Sequence, residues 1–128
     1  MECPELRPGL KAEGEAVVSE SMVTRHAGGH RGGVLTTPSM IAFMEEVAQA
    51  ATQPYVPPDH TTVGFEVWVR HLAPTLLGER FSVIAELLEA NGRKLLFRVE
   101  AHNPRGKMAE GTLRRTVVSL GSLEERGA

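Results

Sequence analysis

The chain is poor in cysteine. Cys3 is the only one among 128 residues, so no intramolecular disulfide can form and zinc sites built on paired cysteines are excluded. That usage fits a reducing compartment. No stretch approaches the roughly 18 apolar residues that a membrane span needs. The N-terminus has no basic segment followed by an apolar run, so no secretory signal is expected. Charge of one sign is also lacking. Fourteen Lys and Arg face 16 Asp and Glu, for a formal net charge of -2, which leaves no basic footprint for nucleic acid. Internal repeats and low-complexity segments are absent. What these absences leave is a soluble, cytoplasmic protein, and the length fits a single domain spanning 1-128. Its apolar fraction of 41% is ordinary for a globular chain able to form a core.

The clearest element that is present is a helix. Met40, Phe43, Met44, Val47, Ala48 and Ala51 fall at the i, i+3, i+4 spacings of one buried stripe. Thr37 before Pro38 reads as its N-cap, and Pro54, Pro57 and Pro58 end it. Ahead of the helix, a first strand is expected within Ala12 to Thr24, and AGGHRGG (Ala27 to Gly33) is a loop over the site. Behind it the period changes to two. Val63, Phe65, Val67 and Val69 form an inward row, then Phe81 to Leu87, Leu95 to Ala101 and Met108 to Leu120 continue as strands. Asn91-Gly92 is a strong hairpin signal, and Asn103-Pro104-Arg105-Gly106 turns the chain again. The ends, 1-11 and 121-128, read as frayed. The expected fold is α+β: a five-stranded antiparallel sheet wrapped around one long central helix, which is the hot-dog architecture. An open apolar sheet edge invites pairing, so at least a homodimer is expected, with a homotetramer the larger alternative.

Helical phase separates two adjacent acids. Relative to Met44, Glu46 lies nearly opposite the stripe, whereas Glu45 lies about a quarter-turn from it. Glu45 is therefore either a partly shielded carboxylate suited to general-base work or an interface or surface salt-bridge partner. His71 ends the row of Val63 to Val69 and reads as a hydrogen-bonded core residue or a catalytic one. His26, His30, His60 and His102 have no ligand-like spacing, and no metal is expected. Arg115 has the parity of Leu113 and Val117, so it is the better pocket candidate than Arg114; its other reading is a strand-end arginine reaching water. Thr37 and Glu45 lie eight residues apart, a helical rise of about 12 Å. One site using both requires a fold-back or two subunits. Phosphate-loop and nucleophile-elbow motifs are missing.

The segments LTTPSMIAFMEEVA, VGFEVWVRHLAPTLLGE, NGRKLLFRVEAHN and EGTLRRTVV lie within a stretch of roughly Val34 to Val118. Together they resemble the fluoroacetyl-CoA thioesterase family of thioesterase-like hot-dog proteins. The shared spacing is a Thr eight residues before a helical Glu, a Gly seven before a His, and an Arg near the centre of the last strand. By this resemblance the catalytic Thr–Glu–His set falls on Thr37, Glu45 and His71. The family's strand glycine falls on Gly64 and its pocket arginine on Arg115, both substrate-binding. Ala27 to Gly33 departs from the pattern in offering no bulky apolar residue to close over a small fluorinated acyl group. The resemblance therefore implies hydrolysis of a generic acyl-CoA, with no cofactor beyond the CoA of the substrate. Glu45 would be general base or nucleophile, His71 would protonate the leaving thiolate, and Thr37 would orient one of them across a dimer interface. A hot-dog enoyl-CoA hydratase or dehydratase, and a non-catalytic acyl-CoA-binding subunit, are the competing expectations.

Overall fold

The computed structural model describes residues 4–25 and 32–127. Cys3, His26, His30 and residues 27–31 of the Gly-rich stretch lie outside them. Strand β1 (Lys11–Val17) is followed by two short paired strands, β2 (Val23–Thr24) and β3 (Val34–Leu35). Helix α1 (Thr37–Thr52) comes next, then β4 (His60–His71), β5 (Arg80–Asn91), β6 (Lys94–Asn103), β7 (Gly106–Ser119) and a terminal helix α2 (Leu120–Gly127). Five strands form one sheet in the order β1-β5-β6-β7-β4, antiparallel at every pairing. Helix α1 packs across its inner face, chiefly on β5 and β1. This is the five-stranded sheet and central helix that the sequence leads one to expect. No described helix is long and apolar enough to cross a membrane.

The alternation of β5 and β6 builds the core. Phe81, Val83, Ala85 and Leu87 on β5, with Leu95, Phe97, Val99 and Ala101 on β6, are buried against Met40, Met44, Val47, Ala48 and Ala51 of α1. Each large apolar side chain so buried contributes about 1.5–3 kcal/mol. Gly14 lets the helix come close to β1, because a Cβ there would lie 2.8 Å from Val47 Cγ2 and 3.1 Å from Phe43 Cζ. The hairpin at Asn91-Gly92 forms as expected, with Gly92 at φ 62 and Asn91 opposite Lys94.

Three expectations are corrected. The first strand is two elements, since a 3-10 turn at Glu20–Met22 divides β1 from β2, which is why its alternation is imperfect. The described parts of the ends are tied down rather than frayed. Leu6 is buried, Gly9 N–H donates to the Leu87 carbonyl at 2.9 Å and Leu87 N–H to that of Leu10 at 2.8 Å. At the other end, α2 is anchored by Leu120 N–H to the Asp59 carbonyl at 2.8 Å.

The third correction concerns β4. Its register with β7 runs Thr62↔Val117, Gly64↔Arg115, then Glu66↔Arg114, Val67↔Leu113 and His71↔Ala109, which leaves Phe65 with no opposite residue. An extra residue of this kind is a β-bulge and exchanges the two faces of the strand beyond it. Thr62 and Gly64 face inward before it; Val67, Val69 and His71 do so after it. Val63 and Phe65, expected in the inward row, face the other way, and Lys94 Nζ lies 4.5 Å over the Phe65 ring. β4 is also a free edge. Phe65, Val67, Trp68 and Leu72 are exposed along it, Trp68 to 67%.

Candidate active site

Helix α1 begins one residue away from the expected arrangement. Thr36, not Thr37, is the N-cap: its Oγ1 accepts from Ser39 N–H at 3.2 Å. Thr37 is the first helical residue and Pro38 the second, both positions where a backbone N–H has no helical partner to lose. The shift frees the Thr37 hydroxyl, which lies 2.9 Å from His71 Nδ1. His71 stands at the end of β4 with its Nε2 buried and without a hydrogen-bond partner. Burial pushes its pKa below the usual imidazole value, opposed by a backbone hydrogen bond at Ala73. Burial thus favours the neutral ring, which offers one donor and one acceptor, so Nε2 takes the role opposite to that of Nδ1.

The second cluster sits further along the helix. Glu45 is half-buried while Glu46 is exposed, as helical phase requires. Glu45 Oε1 lies 3.0 Å from Arg115 Nη1. That contact is an ion pair lacking hydrogen-bond geometry, since Oε1 is buried and accepts no hydrogen bond. The other side of the carboxylate lies against Gly64. A Cβ on Gly64 would overlap Oε2 and stand 3.0 Å from Cδ. Arg115 is only 5% exposed. Its Nε donates to Thr62 Oγ1 at 2.9 Å and its Nη2 to the Thr62 carbonyl at 2.8 Å. Arg114, of opposite parity, pairs with Glu66 on the outer face at 2.9 Å.

Five residues singled out in the sequence thus fall into two groups within one chain. Thr37 joins His71, and Glu45 joins Gly64 and Arg115. Among the described residues no hydrogen bond or ion pair links Glu45 to Thr37 or His71; eight helical residues, about 12 Å of rise, separate the groups. The far end of α1 is fastened to the start of β4. Gln49 Nε2 donates to Thr61 Oγ1 at 3.0 Å, and Gln53 Nε2 to the His60 carbonyl at 3.1 Å. Sequence reasoning missed Thr62, a polar residue only 2% exposed. Its one signal is position, two residues before Gly64 on what proves to be the inner face. The remaining described histidines lie elsewhere: His60 Nδ1 is 2.9 Å from the Pro58 carbonyl, and His102 Nε2 is 3.2 Å from Glu100.

The five-stranded sheet around one long helix defines the hot-dog class of fold, here with Thr–His and Glu–Gly–Arg groups on its helix and sheet. More particularly, the chain belongs to the fluoroacetyl-CoA-specific thioesterase family, whose model matches residues 18–120. A fluoroacetyl-CoA thioesterase of Streptantibioticus cattleyicolor is 36% identical over 87 residues, 68% of this chain and 63% of the relative's own length. A solved structure of fluoroacetyl-CoA thioesterase superposes with a TM-score of 0.86 at 29% identity, covering 94% of both chains. A hot-dog-like protein from Thermanaerovibrio acidaminovorans gives a TM-score of 0.88 at 25% identity, covering 99% of this chain and 95% of that one.

Proposed function

We propose that this protein is an acyl-CoA thioesterase of the cytoplasm, hydrolysing a thioester to free acid and CoA at a site shared between two protomers. The observation that carries this reading is the Thr37–His71 hydrogen bond at one end of α1 with the Glu45 carboxylate held on Gly64 midway along it. In water-mediated hydrolysis, Glu45 takes a proton from water, whose oxygen adds to the thioester carbonyl carbon; the C–S bond then breaks. In the nucleophilic route, Glu45 Oε2 adds instead, CoA leaves, and water opens the resulting anhydride. In either case the thiolate takes up a proton, for which His71 Nε2, buried and without a partner, is the candidate route. A backbone N–H at Gly64 is the candidate donor to the developing oxyanion. The small acid of fluoroacetyl-CoA is not singled out by these residues, and the proposed substrate is a generic acyl-CoA.

The open edge of β4 supports the shared site. Around a two-fold axis near Val67 and Trp68, antiparallel pairing of two β4 edges sets Gly64 of one protomer opposite His71 of the other, with the bulge absorbing the odd residue. Exposed Phe65, Val67, Trp68 and Leu72 would then be covered. The test is release of free thiol from a panel of acyl-CoAs. Glu45→Ala is expected to lower turnover by roughly 10²- to 10⁴-fold. Wild-type turnover in that variant overturns the assignment. A change in enoyl absorbance without thiol release would make the protein a hydratase, and binding without either would make it an acyl-CoA-binding subunit.

A further inference from the structure

Thr62 has no part in the mechanism above, yet it is a nearly fully buried polar side chain on the inner face of the edge strand β4. Its position follows from the register. Gly64 lies opposite Arg115 across β4 and β7, so Thr62 is the diagonal neighbour of Arg115 on the same face. From there it engages two of the three guanidinium nitrogens, Nε donating to its hydroxyl and Nη2 to its carbonyl, at 2.9 and 2.8 Å. A guanidinium is a rigid planar fork, so two fixed nitrogens determine where the third points. The third is Nη1, 3.0 Å from Glu45 Oε1. Because that ion pair lacks hydrogen-bond geometry, it does not hold its own orientation.

We infer that Thr62 is a positioning residue for Glu45. It anchors Arg115 so that Nη1 keeps the carboxylate turned with Oε2 against Gly64. Arg115 is accordingly committed to Glu45 and Thr62, and does not reach for an anionic part of the substrate. A plain structural role predicts only that Thr62 fills space, which valine does equally well. A positioning role predicts that the hydroxyl matters and that serine replaces it.

The kinetic arm of the test rests on the acyl-CoA hydrolase reading; the spectroscopic arm does not. Thr62→Val removes the acceptor at nearly constant volume. It is expected to lower kcat by roughly 10- to 100-fold, the size of effect that a small misplacement of a reacting group produces. KM should hold within about twofold, the pattern of an interaction lost from the reacting state. Thr62→Ser is expected to recover most of the turnover. Independently, the Arg115 Nε–H should exchange slowly with solvent by NMR in the wild type and in Thr62→Ser, and rapidly in Thr62→Val. Unchanged kcat in a folded Thr62→Val overturns the inference, as does a wild-type Nε–H that exchanges rapidly. Should no acyl-CoA be hydrolysed, the exchange measurement still decides, and should the valine variant not fold, the wild-type and serine measurements do.

Discussion

At Gly64, the Glu45 carboxylate fills the space that a side chain would take. Gly64 is not among the glycines with positive φ, so what it supplies is room rather than conformational freedom. Gly64→Ala would place a methyl where Glu45 Oε2 lies. We expect a fold that is retained and a kcat lower by roughly 10- to 100-fold, checked by thiol release beside thermal unfolding; an alanine variant with wild-type kcat would show that the carboxylate needs no such seat. The preference for Glu45 over Glu46 was legible in the sequence because helical phase is local. The preference for Arg115 over Arg114 was legible because β7 keeps its alternation. Thr37 was misread because two threonines precede Pro38 and either can cap; only the settled first turn decides between them. Thr62 was illegible because its meaning lies in a partner 53 positions away.

At the scale of elements, the loop after β4 is clamped by the turn between β6 and β7. Arg105 reaches Glu79 with both terminal nitrogens, at 2.6 and 2.8 Å, and Nη2 also donates to the Pro74 carbonyl at 3.0 Å. Glu79 Oε1 in turn accepts from Leu76 N–H at 2.7 Å. Leu35 N–H donates to the Thr75 carbonyl at 2.8 Å, which ties this loop to β3 just ahead of the Thr37–His71 pair. The Arg105 side chain, followed by the Leu76 N–H, holds the Glu79 carboxyl down to about 2 from its usual 4.5. A carboxylate with a depressed folded value contributes stability above its unfolded value and loses it as pH falls through the folded one. Stability from this clamp should therefore be whole above pH 4.5 and decline toward pH 2. Denaturant unfolding across that window should fall less steeply in Glu79→Gln than in the wild type, and the difference should shrink in high salt because the pair is partly exposed. An identical slope would remove Glu79 from the acid sensitivity. The bulge in β4 is the element the sequence concealed. Strict alternation assigns Val63 and Phe65 to the core, and only pairing with β7 reveals the skipped step.

For the molecule as a whole, the long amphipathic helix and the Asn-Gly hairpin made the architecture readable, since both are local signals that agree with the global fold. The proposed assembly has two signals in the sequence, the open sheet edge and the rise between Thr37 and Glu45. If each site draws Thr37 and His71 from one protomer and Glu45 from its partner, two dead variants should complement. Mixed and reassembled Glu45→Ala and His71→Ala chains would form one intact site per heterodimer. Random pairing should restore about a quarter of wild-type activity, as two-fold symmetry dictates. Activity no greater than the sum of the separate variants would confine the site to one chain.

Seven steps lead from Gly64 to His71, an odd count, yet both residues face the helix because Phe65 takes up one step without a partner. That interval behaves as a reading frame. Gain or loss of one residue within it would turn everything downstream, His71 included, to the opposite side of the sheet. Substitutions at Phe65 leave the frame intact, whereas a deletion there shifts it. Transplanting this chemistry to another strand would require carrying the apparently idle residue along with the useful ones.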